Sequence, residues 1–185
     1  MRTQQSGFTM IEVLVTIGIL VVGLLGLAAL QTLTQVAELE SYQRSQAIVL
    51  VRDMADRITG NKINIAQYVG NDVGLAENDC TGLTGAALDL CEWGNLIRGS
   101  AERRGGAGIG AMLAARGCIT RPATSTDRYT VSIAWQGILP TAGATSPCGS
   151  GDPLFPDETV RRAVSETVCI ALLRDAASAP VLPRC

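Results

Sequence analysis

The sequence predicts an α+β protein: one long N-terminal helix, its first half transmembrane, packed on a small antiparallel β-sheet head held by disulfides. Three observations carry this. Residues Phe8 to Leu30 form a 23-residue apolar run with one charge, Glu12. An amphipathic stripe continues that run as far as Ile58, and the last third holds one alternating segment, Tyr129 to Gln136, and one rich in Val and Thr, Arg161 to Leu173. Six cysteines lie beyond the apolar run. The expected segments are 1–7, a polar leader; 8–30, the apolar span; 31–60, an amphipathic helix entering the head; and 61–185, a disulfide-bearing globular head.

Composition narrows the function classes. The 185 residues carry 15 Lys plus Arg against 17 Asp plus Glu, a formal charge of −2, so the chain as a whole exerts no general pull on nucleic acid or anionic lipid. Histidine is absent, which removes Ser-His-Asp and Cys-His nucleophiles and zinc sites built on imidazole. Aromatics are only 4% and Gly reaches 20 residues, so covalent links are expected to supplement a modest core.

At 1.5 Å per residue the apolar run makes a helix of about 34 Å, enough to cross the hydrocarbon of a bilayer. Arg2 precedes it, and Arg44 is the first basic residue after it, behind Glu38 and Glu40. That asymmetry places the N-terminus in the cytoplasm and the rest outside. A secretory signal peptide has a shorter apolar stretch and a small-residue cleavage site. A plain anchor fits the length but leaves Glu12 without a reason, since a charge at mid-bilayer costs on the order of 3 kcal/mol.

The segment Gly7-Phe8-Thr9-Met10-Ile11-Glu12-Val13-Leu14 resembles the type III signal of type IV pilins and of the pseudopilins of type II secretion. The resemblance implies cleavage by a prepilin peptidase after Gly7, N-methylation of the new terminal Phe8, and retention of Glu12 in the span for subunit assembly. The physical chemistry agrees. Cleavage removes Arg2 and creates an ammonium on Phe8, four residues from Glu12 and thus about one helical turn away. In hydrocarbon an unpaired carboxylate is strongly disfavoured, so Glu12 rewards a neighbour that brings a positive charge. The bland alternative is a Glu12 that snorkels to the interface.

Gly18, Gly23 and Gly26 interrupt the span, each weakening the helix by about 1 kcal/mol relative to Ala. They serve either as points of local melting during assembly or as places of close helix–helix contact. Gly23-Leu24-Leu25-Gly26-Leu27-Ala28-Ala29-Leu30-Gln31 narrows the resemblance to minor pilins of the PilV kind, the type IV pilus modification proteins.

Beyond the span, Val36, Leu39, Ala47, Leu50, Val51, Met54 and Ile58 recur at three- and four-residue spacing. No Gly or Pro stands between Leu27 and Thr59, and Gly60-Asn61 reads as a helix stop. Asn71-Asp72, Asn78-Asp79 and Gly82 to Gly85 read as turns and loop. Ala86 to Arg98 reads as a short helix with Trp93 and Leu96-Ile97 inward. Gly105 to Gly110 reads as a flexible link, and no P-loop Lys-Ser/Thr follows it. Cys118-Ile119-Thr120 is a short strand candidate. In Tyr129 to Gln136 the residues Tyr129, Val131, Ile133 and Trp135 form an apolar face opposite small or polar residues. Arg161 to Leu173 is a second strand, joined to the first by the Gly/Pro/Ser-rich stretch 137–157. The outline is an antiparallel meander packed on the helix.

Cys80, Cys91, Cys118, Cys148, Cys169 and Cys185 all fall on the outer side of the span, where an oxidising compartment favours three disulfides. Fifteen pairings are open, with Cys80–Cys91 the local one. No C-x-x-C and no His accompany them, so neither a zinc site nor a dithiol redox centre is expected. The carboxylates Asp72, Glu77 and Asp79, and Asp152, Asp157 and Glu158, read as solvated loop surface, without EF-hand spacing. Arg103-Arg104 and Arg161-Arg162 lack aromatic interleaving, so no nucleic-acid site is expected. No catalytic, cofactor or metal residues are assigned.

The expectation is a minor pilin of the type IV pilus, acting in assembly initiation, adhesion and twitching motility. Its partners would be other minor pilins and the major pilin, met through the N-terminal helix, and its location the inner membrane and then the surface pilus. The alternatives are a minor pseudopilin of type II secretion and, from another class, a periplasmic binding or sensory domain on a simple anchor.

Overall fold

The computed structural model describes residues 7–76, 78–100, 103–104, 107–108, 112–123 and 127–170. It is α+β and pilin-like: a long, partly apolar helix α1 (Met10–Gly60), then a small antiparallel four-stranded sheet with two disulfides among the described residues. The chain divides into two units at Ser41/Tyr42, and α1 contributes to both.

In the first unit α1 is exposed almost throughout, and three of its threonines bond to their own helix. The hydroxyls of Thr16, Thr32 and Thr34 donate to the carbonyls of Val13, Ala28 and Leu30 at 2.8, 3.1 and 3.0 Å. Such back-bonding lets a hydroxyl sit in an apolar helix without an external partner. Leu39, expected on the buried stripe, is 54% exposed, and Val36 is only partly buried. Full burial starts at Ala47.

In the second unit Ala47, Val51, Met54, Ala55 and Ile58 of α1 are buried. The helix ends where Asn61 N–H bonds back to Arg57 O and Ile58 O, at 3.0 and 3.2 Å. A 3-10 helix, Lys62–Tyr68, follows without a clear sequence signal. The stretch expected as a turn at Asn71-Asp72 is instead strand β1 (Gly70–Val73), paired with strand β4 (Arg116–Thr120). The turn-forming residues sit in a bulge between Gly70 and Val73, and Asp72 takes a left-handed φ of 65° there, a conformation Asp tolerates.

Helix α2 (Gly85–Ile97) buries Trp93 and Ile97, while Leu96 is only partly buried. Strands β2 (Arg103–Arg104) and β3 (Ala107–Gly108) pair antiparallel, so part of the expected flexible link is a small ribbon. Gly105, Gly106, Ile109 and Gly110 lie outside the described residues. Strands β4 (Arg116–Thr120), β5 (Arg128–Gln136) and β6 (Arg161–Cys169) form the meander, and the sheet order is β1-β4-β5-β6. Register between β5 and β6 is unbroken from Arg128↔Cys169 to Gln136↔Arg161. Residues 171–173, expected in the last strand, lie outside the described residues.

The main core joins the buried face of α1 to Ile65, Tyr68, Ala86, Trp93 and Ile97 and to Ile119, Tyr129, Val131, Ile133 and Trp135 of the sheet. Trp93 locks these layers. Its Nε1 donates to Leu50 O of α1 at 2.8 Å, and its ring lies against Gly117 of β4, where a Cβ would stand 2.2 Å from Cζ3. The opposite face of β5, expected to be small and polar, is covered as well. Cys118, Ala134, Cys148 and Phe155 make a second cluster, because the 137–157 connection returns over it. Buried Ser132 on that face meets the Ser165 hydroxyl at 2.8 Å.

Candidate functional site

The candidate site is the start of α1 and the apolar surface behind it. Gly7, Phe8 and Thr9 precede the helix, with Gly7 open on all sides and Phe8 84% exposed. Glu12 lies in the first turn, four residues from Phe8, and is exposed. Within α1 stands a window long and apolar enough to cross a membrane, and none of it is buried against the chain. The core helix of a soluble domain has the same composition but is covered. Here Ile11, Leu14, Leu20, Val22, Leu24, Leu25 and Leu30 are all exposed by more than 60%. So large an apolar surface needs lipid or other helices around it.

Among the described residues two complete disulfides and three arginines organise the head. Cys80 is bonded to Cys91, midway along α2, and Asn95 ties the same loop down: its Oδ1 accepts from Asn78 N–H at 3.1 Å and its Nδ2 donates to Asn78 O at 2.9 Å. Cys118 of β4 is bonded to Cys148, fastening the 137–157 connection to the sheet. Cys169 is disulfide-bonded too, and Cys185 lies outside the described residues.

Arg57 of α1 donates to Asp53 at 2.9 Å, Asp89 at 3.3 Å and Glu92 at 2.7 Å, and Tyr68 Oη donates to the other Asp89 oxygen. Burial opposes the Arg57 charge, but the bonds to Glu92, Asp53 and Asp89 outweigh it and its pKa is raised. Burial and the Asp89 bond likewise push the Tyr68 phenol up.

Arg116 is 1% exposed. Its Nη1 donates to Asp72 at 3.0 Å and to Asp152, and its guanidinium lies 5.3 Å from the Phe155 ring centroid. Arg161 is 3% exposed and donates to three carbonyls, Ser146 at 2.7 Å, Cys148 at 2.9 Å and Ala144 at 3.0 Å, and to Glu158 at 2.6 Å.

The acidic loops therefore differ from the solvated surface expected of them. Asp72 and Asp152 converge on Arg116, and Glu158 accepts from Gly151 N–H and Arg161. The Arg116 bond holds Asp152 below its usual pKa, and the Gly151 and Arg161 bonds do the same for Glu158. Asp79 and Asp157 are lowered by hydrogen bonds from Thr81 and Thr159. These groups brace loops. Glu77, grouped with them in the sequence, lies outside the described residues. Among the described residues no cluster of three or more His, Cys, Asp or Glu is arranged to hold a metal. No sequence signal points to Arg116, and Arg161 stands out only as half of a basic pair, since a buried arginine is recognised only by distant partners.

Residues 2–28 match the family model of the prokaryotic N-terminal methylation motif. No curated protein and no solved structure matches the chain. The matched residues take in Gly7, Phe8, Glu12 and most of the apolar run, and leave the head outside. The motif implies processing by a prepilin peptidase, and with the uncovered apolar helix it fits anchoring in an inner membrane. The chain thus carries a type IV pilin-like prepilin signal, the mark of pilins and pseudopilins, proteins that are generally structural rather than enzymatic.

Proposed function

We propose that this chain is a minor pilin of the type IV pilus. It is made as a prepilin, cut after Gly7 and methylated on Phe8. Residues 8–30 hold it in the inner membrane with the N-terminus inside and the head, residues 61–185, in the periplasm. It then joins other minor pilins and the major pilin through the N-terminal helix, in which Glu12 meets the terminal amine of a neighbour. Its work is assembly initiation, with effects on adhesion and twitching motility. The observation that carries the reading is the coincidence of Gly7-Phe8, Glu12 and an unburied apolar helix within one matched motif. The segment Gly23 to Gln31 favours the pilus over the second reading, a minor pseudopilin of type II secretion.

The test is N-terminal mass spectrometry of the membrane-extracted protein. The expected species starts at methylated Phe8. Loss of seven residues, Arg2 among them, leaves 178 residues with 14 basic and 17 acidic groups, a formal charge of −3. A mature chain that starts at Met1 or after Ala29 refutes the reading and leaves a periplasmic domain on an anchor or a cleaved secretory signal. Deletion of the coding gene is expected to reduce surface pili; a defect confined to secretion assigns the chain to the pseudopilins.

A further inference from the structure

The outer face of the sheet holds a cavity of about 390 Å³ between β4 and the returning 147–153 stretch. Arg116, Cys118 and Thr120 occupy alternate positions of β4 and all line it, together with Asp72 and Asp152. The Cys118–Cys148 disulfide fixes one wall. Arg116 is the anomaly in this lining. It is buried, yet only Nη1 has acceptors, Asp72 at 3.0 Å and Asp152. Nε and Nη2 are closed off from bulk water and have no hydrogen-bond partner among the described residues. The Phe155 ring beside the guanidinium offers a π face but no lone pair. Leaving a buried charged donor unmet costs more than losing an ordinary hydrogen bond, so these nitrogens call for an acceptor from outside the chain.

We propose that this cavity is a binding site for a neutral polyhydroxylated ligand, one hexose unit, whose adjacent hydroxyls accept from Arg116 and donate to Asp72 and Asp152. The site is independent of the pilus assignment. Charge selects the ligand class. One guanidinium against two carboxylates leaves the lining at 1 − 2 = −1, which opposes a carboxylate or phosphate that would otherwise suit the arginine fork. A bare cation gains the carboxylates only by displacing the guanidinium they already hold. A hydroxyl both donates and accepts, so a vicinal pair serves the arginine and the aspartates together. Thr120 adds a hydroxyl of its own to the lining. The volume falls in the range of small-ligand pockets, about 300–1,000 Å³. Because Nε and Nη2 are closed off, the guanidinium must turn toward the cavity as the sugar enters. Asp72, with its side chain 52% exposed, is the carboxylate that gives way.

The test is NMR titration of the full-length chain, solubilised in a polyoxyethylene detergent whose headgroup carries no sugar. Glucose, galactose and mannose are added in turn, and the Arg116 Nε–H signal is followed with the amides of Thr120 and Gly149. At least one of these sugars is expected to bind with a Kd of roughly 1 mM, the value for about a dozen non-hydrogen atoms at ordinary ligand efficiency. The Arg116 Nε–H should move downfield and exchange more slowly with water as it gains an acceptor. Glucuronate and inorganic phosphate should bind about tenfold more weakly than the neutral sugar, and Asp72→Asn should narrow that gap by removing one negative charge. Thr120→Val, which keeps shape and charge, should raise the neutral sugar's Kd about fivefold through the loss of one hydrogen bond. The wild-type titrations decide the proposal even where a variant fails to fold. No shift with any of the three sugars at about 50 mM, far above the expected Kd, overturns it. So does binding of glucuronate or phosphate as tight as that of the neutral sugar, or a titration that leaves the Arg116 Nε–H signal unmoved.

Discussion

Gly117→Ala is expected to be among the most damaging single-methyl changes in the head. Gly117 pairs with Ile133 in the middle of the sheet, and its backbone has no left-handed φ, so alanine brings no conformational strain of its own. The added Cβ, however, would stand 2.2 Å from Trp93 Cζ3, 2.3 Å from Cη2 and 3.0 Å from Ile97 Cδ1. The indole is fully buried and anchored by its 2.8 Å bond to Leu50 O, so it cannot swing away without giving up that bond. Overpacking costs about 1–3 kcal/mol and a lost buried hydrogen bond about 1 kcal/mol more, which gives about 2–4 kcal/mol in total. For a domain of this size that is a fall in melting temperature of roughly 10 °C. The assay is a thermal melt of the detergent-solubilised chain followed by near-ultraviolet circular dichroism, which reports the packing of Trp93 and Trp135. Gly60→Ala, with no atom within 4 Å of the new Cβ, is the control and should melt as the wild type does. A Gly117→Ala protein that melts within about 1 °C of wild type would refute the idea that the indole is wedged between α1 and β4.

Three further outcomes follow from the head. Arg161→Met should lower the urea-unfolding free energy by about 3 kcal/mol, because three carbonyls and Glu158 lose a buried donor, and should open 137–157 to limited proteolysis. Asp152 and Glu158 have folded pKa values below their ordinary 3.8 and 4.5, so their contribution is fully present above those values and is lost as pH falls through the lower folded ones. Urea midpoints should hold steady above about pH 5 and drop below about pH 4, less steeply in Asp152→Asn. Non-reducing peptide mapping should recover Cys80–Cys91 and Cys118–Cys148. Replacing the second pair by alanine should cost about 4 kcal/mol against about 3 kcal/mol for the first, since it closes a loop of 30 residues rather than 11.

What could be read in advance followed the range of the interactions. The processing junction, Glu12 and the apolar run are contiguous, so a motif of residues 2–28 is legible without any fold. The helix from Met10 to Gly60 is legible because no Gly or Pro interrupts its second half. Strand β5 shows in its alternation, β6 in its Val- and Thr-rich run, and Trp93 in the apolar face of α2. The bulged strand β1 did not, because its Asn71-Asp72 are turn formers whose backbone is recruited by β4. Arg116 was invisible for the same reason, its carboxylate partners lying 44 and 36 residues away. The covered second face of β5 escaped as well, since Ser132 and Ala134 resemble surface residues until the 137–157 connection closes over them. The start of the head's burial at Ala47 rather than Val36 depends on where the sheet's core ends, which the helical period does not encode.

Arg161 grips the carbonyls of Ala144, Ser146 and Cys148, alternate residues of one strip of chain. A clamp that reads only main-chain oxygen is blind to the side chains it passes. Apart from the tethered Cys148 and from Ser146, whose hydroxyl accepts from Cys148 N–H at 3.3 Å, the side chains along that strip are therefore free to change in character while their path stays fixed.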